Sequence, residues 1–188
     1  MDLGLSVYWA TCNVGATTPE GYGDYFAWGE TTTKETYSLE SYSLTKDDGS
    51  TFTKYNDTDG KTTLEPTDDA ATAKWGAAWR MPTEAEFEEL CTNCYWEWTT
   101  INGVNGCKVT SEVEGYTDAA IFLPAAGWCY GGPLEGRNIF WYYWSSSLYF
   151  GLEGVDDRRA YVLAYNSGSE IQSCHRYAGL PVRPVTEK

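Results

Sequence analysis

Helical periodicity is scarce in this chain of 188 residues, and that scarcity narrows the folds open to it. Two segments carry it. In "WRMPTEAEFEEL" (79–90), Thr83 followed at the third position by Glu86 forms a capping box, in which the hydroxyl accepts from the Glu86 N–H and the glutamate reaches back. Pro82 keeps the residue before it extended, and Glu84, Glu86, Glu88 and Glu89 suit the positive end of a helix. Phe87, Leu90, Cys91 and Cys94 then recur at i, i+3, i+4 and i+7, which predicts a short amphipathic helix over 83–94 with a core-facing stripe. "TDDAATAKW" (67–75) predicts a second helix of about two turns, capped by Thr67 or Asp68 and ending near Gly76.

The rest is Gly, Thr, Ser, Asn and Asp punctuation around short apolar and aromatic runs: "VYWATCNV", "YFAWGE", "GCKVTSEV", "AAIFLPAAG", "YYWSSS", "AYVLAYNS" and "LPVRPV". Residues 31–66, polar and Thr-rich, read as long surface loops that a scaffold must hold. Two short helices, small antiparallel sheets and long loops describe an α+β domain, and the length suits one domain with one sizeable core.

Apolar content of 42% with 16% aromatic residues excludes disorder. No apolar run approaches the roughly 20 residues of a membrane helix, the longest, "AAIFLPAAGW", being broken by Pro124. Membrane insertion of this domain is therefore not expected. No signal peptide precedes "DLGLS", as in an intracellular chain or a mature domain supplied without its export sequence. The whole net charge of −14 falls in residues 1–119, while residues 120–188 hold six acids and six bases. Every lysine but Lys188 lies at or before Lys108, and 12 of the 30 aromatics fall between Trp128 and Tyr177. An aromatic-rich, lysine-free stretch with arginines has the composition of an interface core. Nucleic acid is excluded as a partner by the lack of a basic stripe.

The six cysteines (12, 91, 94, 107, 129, 174) lack zinc-finger spacing and read as free thiols, with a disulfide from Cys12 or Cys107 to the helix as the alternative in an exported protein. Asp57, Asp59 and Glu65 in "NDTDGKTTLE" are hard oxygen ligands of the kind calcium accepts, but without the spacing of an EF-hand they read as a solvated turn around Gly60. His175 is the sole histidine, and Cys174 beside it points to the opposite face of a strand, so a catalytic dyad is not expected. No cofactor or metal is expected either. Arg176 and Arg183 read as structural, through salt bridges or hydrogen bonds.

"RMPTEAEFEEL" resembles a segment of the formylglycine-generating-enzyme branch of the C-type lectin fold, and "GLPVRPV" resembles that branch's closing strand. More closely, "DLGLSVYWATCNVGA", "GDYFAWGET", "KTTLEPTDDAA", "WGAAWRMPTEAEFEEL", "IFLPAAG", "YYWSSS" and "VRPV" are similar to the bacterial major paralogous domain named after Fibrobacter succinogenes and abundant in Bacteroides-type genomes. These blocks span residues 2–185. The resemblance implies a single C-type lectin-like domain of the formylglycine-generating-enzyme subtype. It implies a scaffold over 1–127, a variable ligand-binding region over 128–178 and a closing strand over 179–185, as in the variable proteins of diversity-generating retroelements in gut bacteria or their phages. Oxidase activity is not carried over, because "YYWSSS" supplies no cysteine pair.

Between frame-like blocks lie the heterogeneous stretches "WCYGGPLEGRNIFWY", "LYFGLEGVDDRR" and "SEIQSCH". Ligand contact is accordingly assigned to Trp128, Tyr130, Asn138, Phe140, Trp141, Tyr142, Leu148, Tyr149, Phe150, Glu170, Gln172, Ser173, Cys174 and His175. Period-two alternation in "AYVLAYN" sets Tyr161, Leu163 and Tyr165 on the core face and Val162 and Ala164 outward, onto the binding surface. The expectation is a non-catalytic domain binding a protein or glycan at a cell surface or on a phage particle. The alternatives are an undiversified surface adhesin or carbohydrate-binding domain, and then an enzyme of the formylglycine-generating type.

Overall fold

The computed structural model describes residues 1–46, 51–151, 154–165 and 169–188. In chain order its elements are β1 (Val7–Trp9), a 3-10 turn (Leu39–Ser41), α1 (Ala70–Trp75), α2 (Glu84–Asn93), β2 (Cys94–Ile101), β3 (Val104–Ser111), β4 (Ala120–Pro124), β5 (Trp128–Cys129), β6 (Leu134–Glu135), β7 (Trp141–Gly151), β8 (Gly154–Tyr165), β9 (Ser169–His175) and β10 (Val185–Glu187). All sheets are small and antiparallel: β1 with β10, β2-β3-β4, β5 with β6, and β7-β8-β9. The α+β expectation with two short helices holds at this level.

The capping box forms as the sequence requires, with Glu86 N–H donating to Thr83 Oγ1 at 3.3 Å and Thr83 N–H to Glu86 Oε2 at 2.7 Å. The same Glu86 carboxylate takes both terminal nitrogens of Arg80, and Arg80 also reaches Glu187. One ion-pair network thus ties the start of α2 to β10. The helix ends at Asn93, and Cys94 opens β2 instead of closing the helix, yet it stays in the core at 4% exposure. In α1 the cap is Asp69, not Thr67 or Asp68: its two carboxylate oxygens accept from Thr72 N–H at 2.9 Å and Met81 N–H at 2.8 Å. Asp68 is drawn away by Lys54 and the Tyr55 hydroxyl.

The β7-β8-β9 sheet is covered on both faces. On one, Trp141, Tyr143 and Leu163 pack with Trp9, Phe87 and Leu90, and α2 lies against all three strands. On the other, Trp144, Leu148, Ala160, Val162 and Cys174 pack with Phe26, Trp28, Met81, Leu180 and Val182. Val162 and Ala164, predicted to face outward, are therefore fully buried, while Tyr161 and Tyr165 are only half-buried. A central strand with cover on both sides buries its whole middle, whichever way alternate side chains point. Segment 31–66 also departs from the reading as surface loops, because it buries Tyr37, Tyr42, Phe52 and Tyr55. "YFAWGE" forms only a bridge between Phe26 and Leu180.

Both frame arginines are fully buried and hydrogen-bonded rather than ion-paired. Arg183 donates to Asn13 Oδ1, Ala10 O and Phe122 O at 2.8–3.1 Å. Arg176 donates to Tyr42 Oη and to the carbonyls of Tyr55, Asp157 and Lys54 at 2.7–3.2 Å. Each joins acceptors from several distant segments, and a buried acceptor left without a donor is costly.

Candidate functional site

The segment that carries the site turns back on itself at two glycines. A side chain on Gly127, at φ +67°, would place its Cβ 1.9 Å from the Glu135 carbonyl, and one on Gly136, at φ +73°, would meet the Phe140 ring at 2.1 Å. Only glycine permits both the left-handed backbone and the close approach. Asn138, also left-handed at φ 64°, locks the return: its Oδ1 accepts from Tyr22 Oη at 2.9 Å and Asn105 N–H at 2.8 Å. Asn138 thus brackets the fold while staying exposed, outside the residues that line the cleft described below.

This return brings an open cleft of about 330 Å³ between Trp128, Tyr130 and Tyr142 on one side and Arg159, Gln172, Ser173, Cys174 and His175 on the other. The aromatic side is a continuous row. Tyr142 stacks on Trp128 at 5.1 Å, Trp128 on Tyr130 at 5.1 Å, Tyr130 on Tyr177 at 5.4 Å and Tyr177 on His175 at 5.2 Å between ring centroids. Phe140 meets Trp128 edge-on at 6.1 Å, and the Tyr130 and Tyr177 hydroxyls are 2.9 Å apart. Rings held by one another lose little freedom when a ligand settles on them.

The polar side is set by β8 and β9, whose register places Arg159 opposite His175. Arg159 Nε and Nη2 donate to Ser173 Oγ and O at 2.8 and 2.6 Å, and Nη1 lies 3.5 Å from His175 Nε2. Burial, and next the Arg159 charge, hold the His175 imidazole below the usual histidine range. Gln172 donates to Glu170 at the exposed rim. Cys174 lies in the floor at 5% exposure, with burial pushing its thiol up to about 12.

Of the residues assigned from sequence, Trp128, Tyr130, Tyr142, Gln172, Ser173, Cys174 and His175 line this cleft, with Phe140 and Glu170 beside it. Tyr149 and Phe150 lie elsewhere, Tyr149 edge-on to Tyr161 at 5.0 Å and Phe150 49% exposed. Trp141 and Leu148 are buried at 0% and 1%. Both sit on β7 with a core under each face of the sheet, so their assignment as ligand contacts is corrected together with Val162 and Ala164. Arg159 and Tyr177 were missed. Arg159 could have been found by counting two-residue steps back from Tyr161, but only once β8 and β9 are known to pair.

Against known proteins the comparison is short. No family model, curated protein or solved structure matches this chain.

Among the described residues no group of three or more His, Cys, Asp or Glu is placed to hold a metal ion, and no helix is long and apolar enough to cross a membrane. Asp59 accepts from the backbone of Tyr55, Asn56 and Lys61, and Glu65 pairs with Lys54 and Lys61. All six cysteines are free, and burial pushes the Cys91, Cys94 and Cys107 thiols up to about 11, 12 and 12.

Proposed function

We propose that this is a non-catalytic binding domain whose C-terminal aromatic cleft takes up a protein or glycan ligand. The observation that carries the reading is the row Tyr142, Trp128, Tyr130, Tyr177 and His175 along an open cleft. Contiguous aromatics left at a surface are the usual mark of a recognition site. Two features speak for binding without chemistry. The Cys174 thiol is held protonated at neutral pH, and the His175 ring is occupied by Tyr177 and Arg159 instead of a nucleophile.

The finer reading is a C-type lectin-like domain of the formylglycine-generating-enzyme subtype, exported to a cell surface or carried on a phage particle and diversified by a retroelement. Its support is the resemblance of the sequence blocks, the pairing of β1 with β10, and the division of labour within residues 128–178. There the buried frame, Trp141, Tyr143, Trp144, Val162 and Leu163, alternates with the cleft-lining Tyr142, Arg159, Gln172 and His175. An undiversified adhesin remains the second reading, and a template repeat beside the gene would separate the two.

The binding reading is tested with Tyr130→Ala. Tyr130 is 39% exposed, so the variant should stay folded, losing only its stacking on Trp128 and Tyr177, about 1–3 kcal/mol. Both proteins are screened on a glycan microarray and on outer-surface preparations of gut bacteria. Loss of the parental hits in the variant is expected; retention of every hit would refute the assignment of the cleft.

A further inference from the structure

Arg159 differs from the two frame arginines in one respect. Arg176 and Arg183 are sealed in the interior, whereas Arg159 is half-buried on the wall of the cleft. Its Nε, Nη1 and Nη2 each have one partner, Ser173 Oγ, His175 Nε2 and Ser173 O. A guanidinium has five N–H donors, so one N–H on each terminal nitrogen is left over. The seven ion pairs among the described residues leave Arg159 out, although the chain carries a net charge of −14. Residues 120–188 are neutral overall; of the described acids near the cleft, Glu170 accepts from Gln172 and Asp156 from the Arg158 N–H, and neither is ion-paired with Arg159.

A cation outside every ion pair of the described residues, two donors left over on its terminal nitrogens and a rigid aromatic wall facing it define a complementary ligand. It has an apolar flat face, a hydroxylated edge and one planar anion, and it fits about 330 Å³, a small-molecule volume. We propose, building on the binding reading above, that the cleft recognises a glycan through a carboxylated pyranose. The sugar's C–H face packs on Trp128 and Tyr130, and its carboxylate takes the two free N–H groups of Arg159. A planar carboxylate matches the guanidinium fork in a way that a neutral hydroxymethyl cannot.

The experiment is isothermal titration of the whole domain with two carboxylated probes, 3′-sialyllactose and trigalacturonic acid. Each is run beside its neutral counterpart, lactose and the carboxyl-reduced trisaccharide, and 3′-sulfated lactose is included. At least one carboxylated probe should bind about tenfold or more tightly than its neutral counterpart, and salt at about 0.5 M should erode that margin. Arg159→Gln should abolish the margin. Gln172→Glu brings a negative charge into the cleft without touching the Arg159 hydrogen bonds, and should weaken the acidic probe by more than it weakens the neutral one, which keeps the test open if Arg159→Gln fails to fold. Equal binding of acidic and neutral sugars, both lost in Tyr130→Ala, would overturn the carboxylate assignment and leave the aromatic cleft standing. Binding of the sulfated probe alone, or of none of the five, would overturn it as well, the cleft itself being judged by the Tyr130→Ala screen.

Discussion

Trp141 is the position where composition and structure disagree most, and two substitutions there separate the contributions of its ring and its N–H. The side chain is fully buried, with Trp96 at 5.9 Å, Tyr165 at 5.6 Å and Tyr143 at 5.5 Å between centroids. Its indole nitrogen lies beside the Cys107 thiol, a weak acceptor at best, and has no hydrogen bond of ordinary geometry among the described residues. Trp141→Ala removes the ring and leaves a cavity that three rigid neighbours cannot fill, so a loss of about 3–5 kcal/mol is expected. Trp141→Phe also forfeits burial, about 1–2 kcal/mol for the missing ring atoms. It removes an unpaired buried donor as well, whose desolvation costs about 1–3 kcal/mol. The two terms oppose each other, and Trp141→Phe should fall within about 1 kcal/mol of the parent. Equilibrium urea unfolding followed by far-UV circular dichroism measures both. A phenylalanine variant as damaged as the alanine variant would show that the N–H is satisfied, and an alanine variant as stable as the parent would remove Trp141 from the core.

Arg183→Lys should cost about 3 kcal/mol or more in the same assay, because an ammonium cannot reach Asn13, Ala10 and Phe122 at once and buried acceptors are left unmatched. Thr83→Ala should lose about 1 kcal/mol with its cap, and Leu90→Ala, at 0% exposure, about 2–5 kcal/mol; a shift in the reverse order would refute the placement of α2. His175 gives a pH signature. Its folded-state affinity for protons is lowered by burial and by Arg159, so the unfolded chain binds the proton more readily. Its contribution to stability is complete above the ordinary histidine value of about 6.5 and is lost as pH falls through the lower folded value. His175→Gln should flatten that part of the stability profile below the ordinary histidine value, and an unchanged slope would contradict it.

Local signals were legible in the sequence where they were self-contained. The cap of α2 needs only Thr83 and Glu86, one turn apart, and it formed as read. The alternation in "AYVLAYN" had the correct period, but the number of buried faces is decided by Trp28, Met81 and Leu180, which arrive from elsewhere in the chain. The uninterrupted small and apolar run 160–164 was itself a sign of a strand covered on both sides. Aromatic density located the cleft between Trp128 and His175, yet density cannot tell the inward Trp141 from its outward neighbours Phe140 and Tyr142. Arg159 became visible only with the pairing register of β8 and β9, a long-range fact that no local pattern encodes.

The pairing of Val7 with Glu187 and of Trp9 with Val185 also has a meaning in time. During synthesis β1 emerges long before its partner, which is not made until residues 185–187 are added. Arg80 waits for Glu187, and Asn13 for Arg183. Contacts of such sequence separation make closure late and slow, and they place the whole cleft-bearing segment inside the loop being closed. A ribosome that stops early therefore releases a chain whose first strand is left without its partner, whereas a substitution in the cleft is carried on a loop that closes regardless of it. Closure of the fold thus tests whether residues 183–187 have been made and leaves the surface at Tyr130 and Gln172 unexamined.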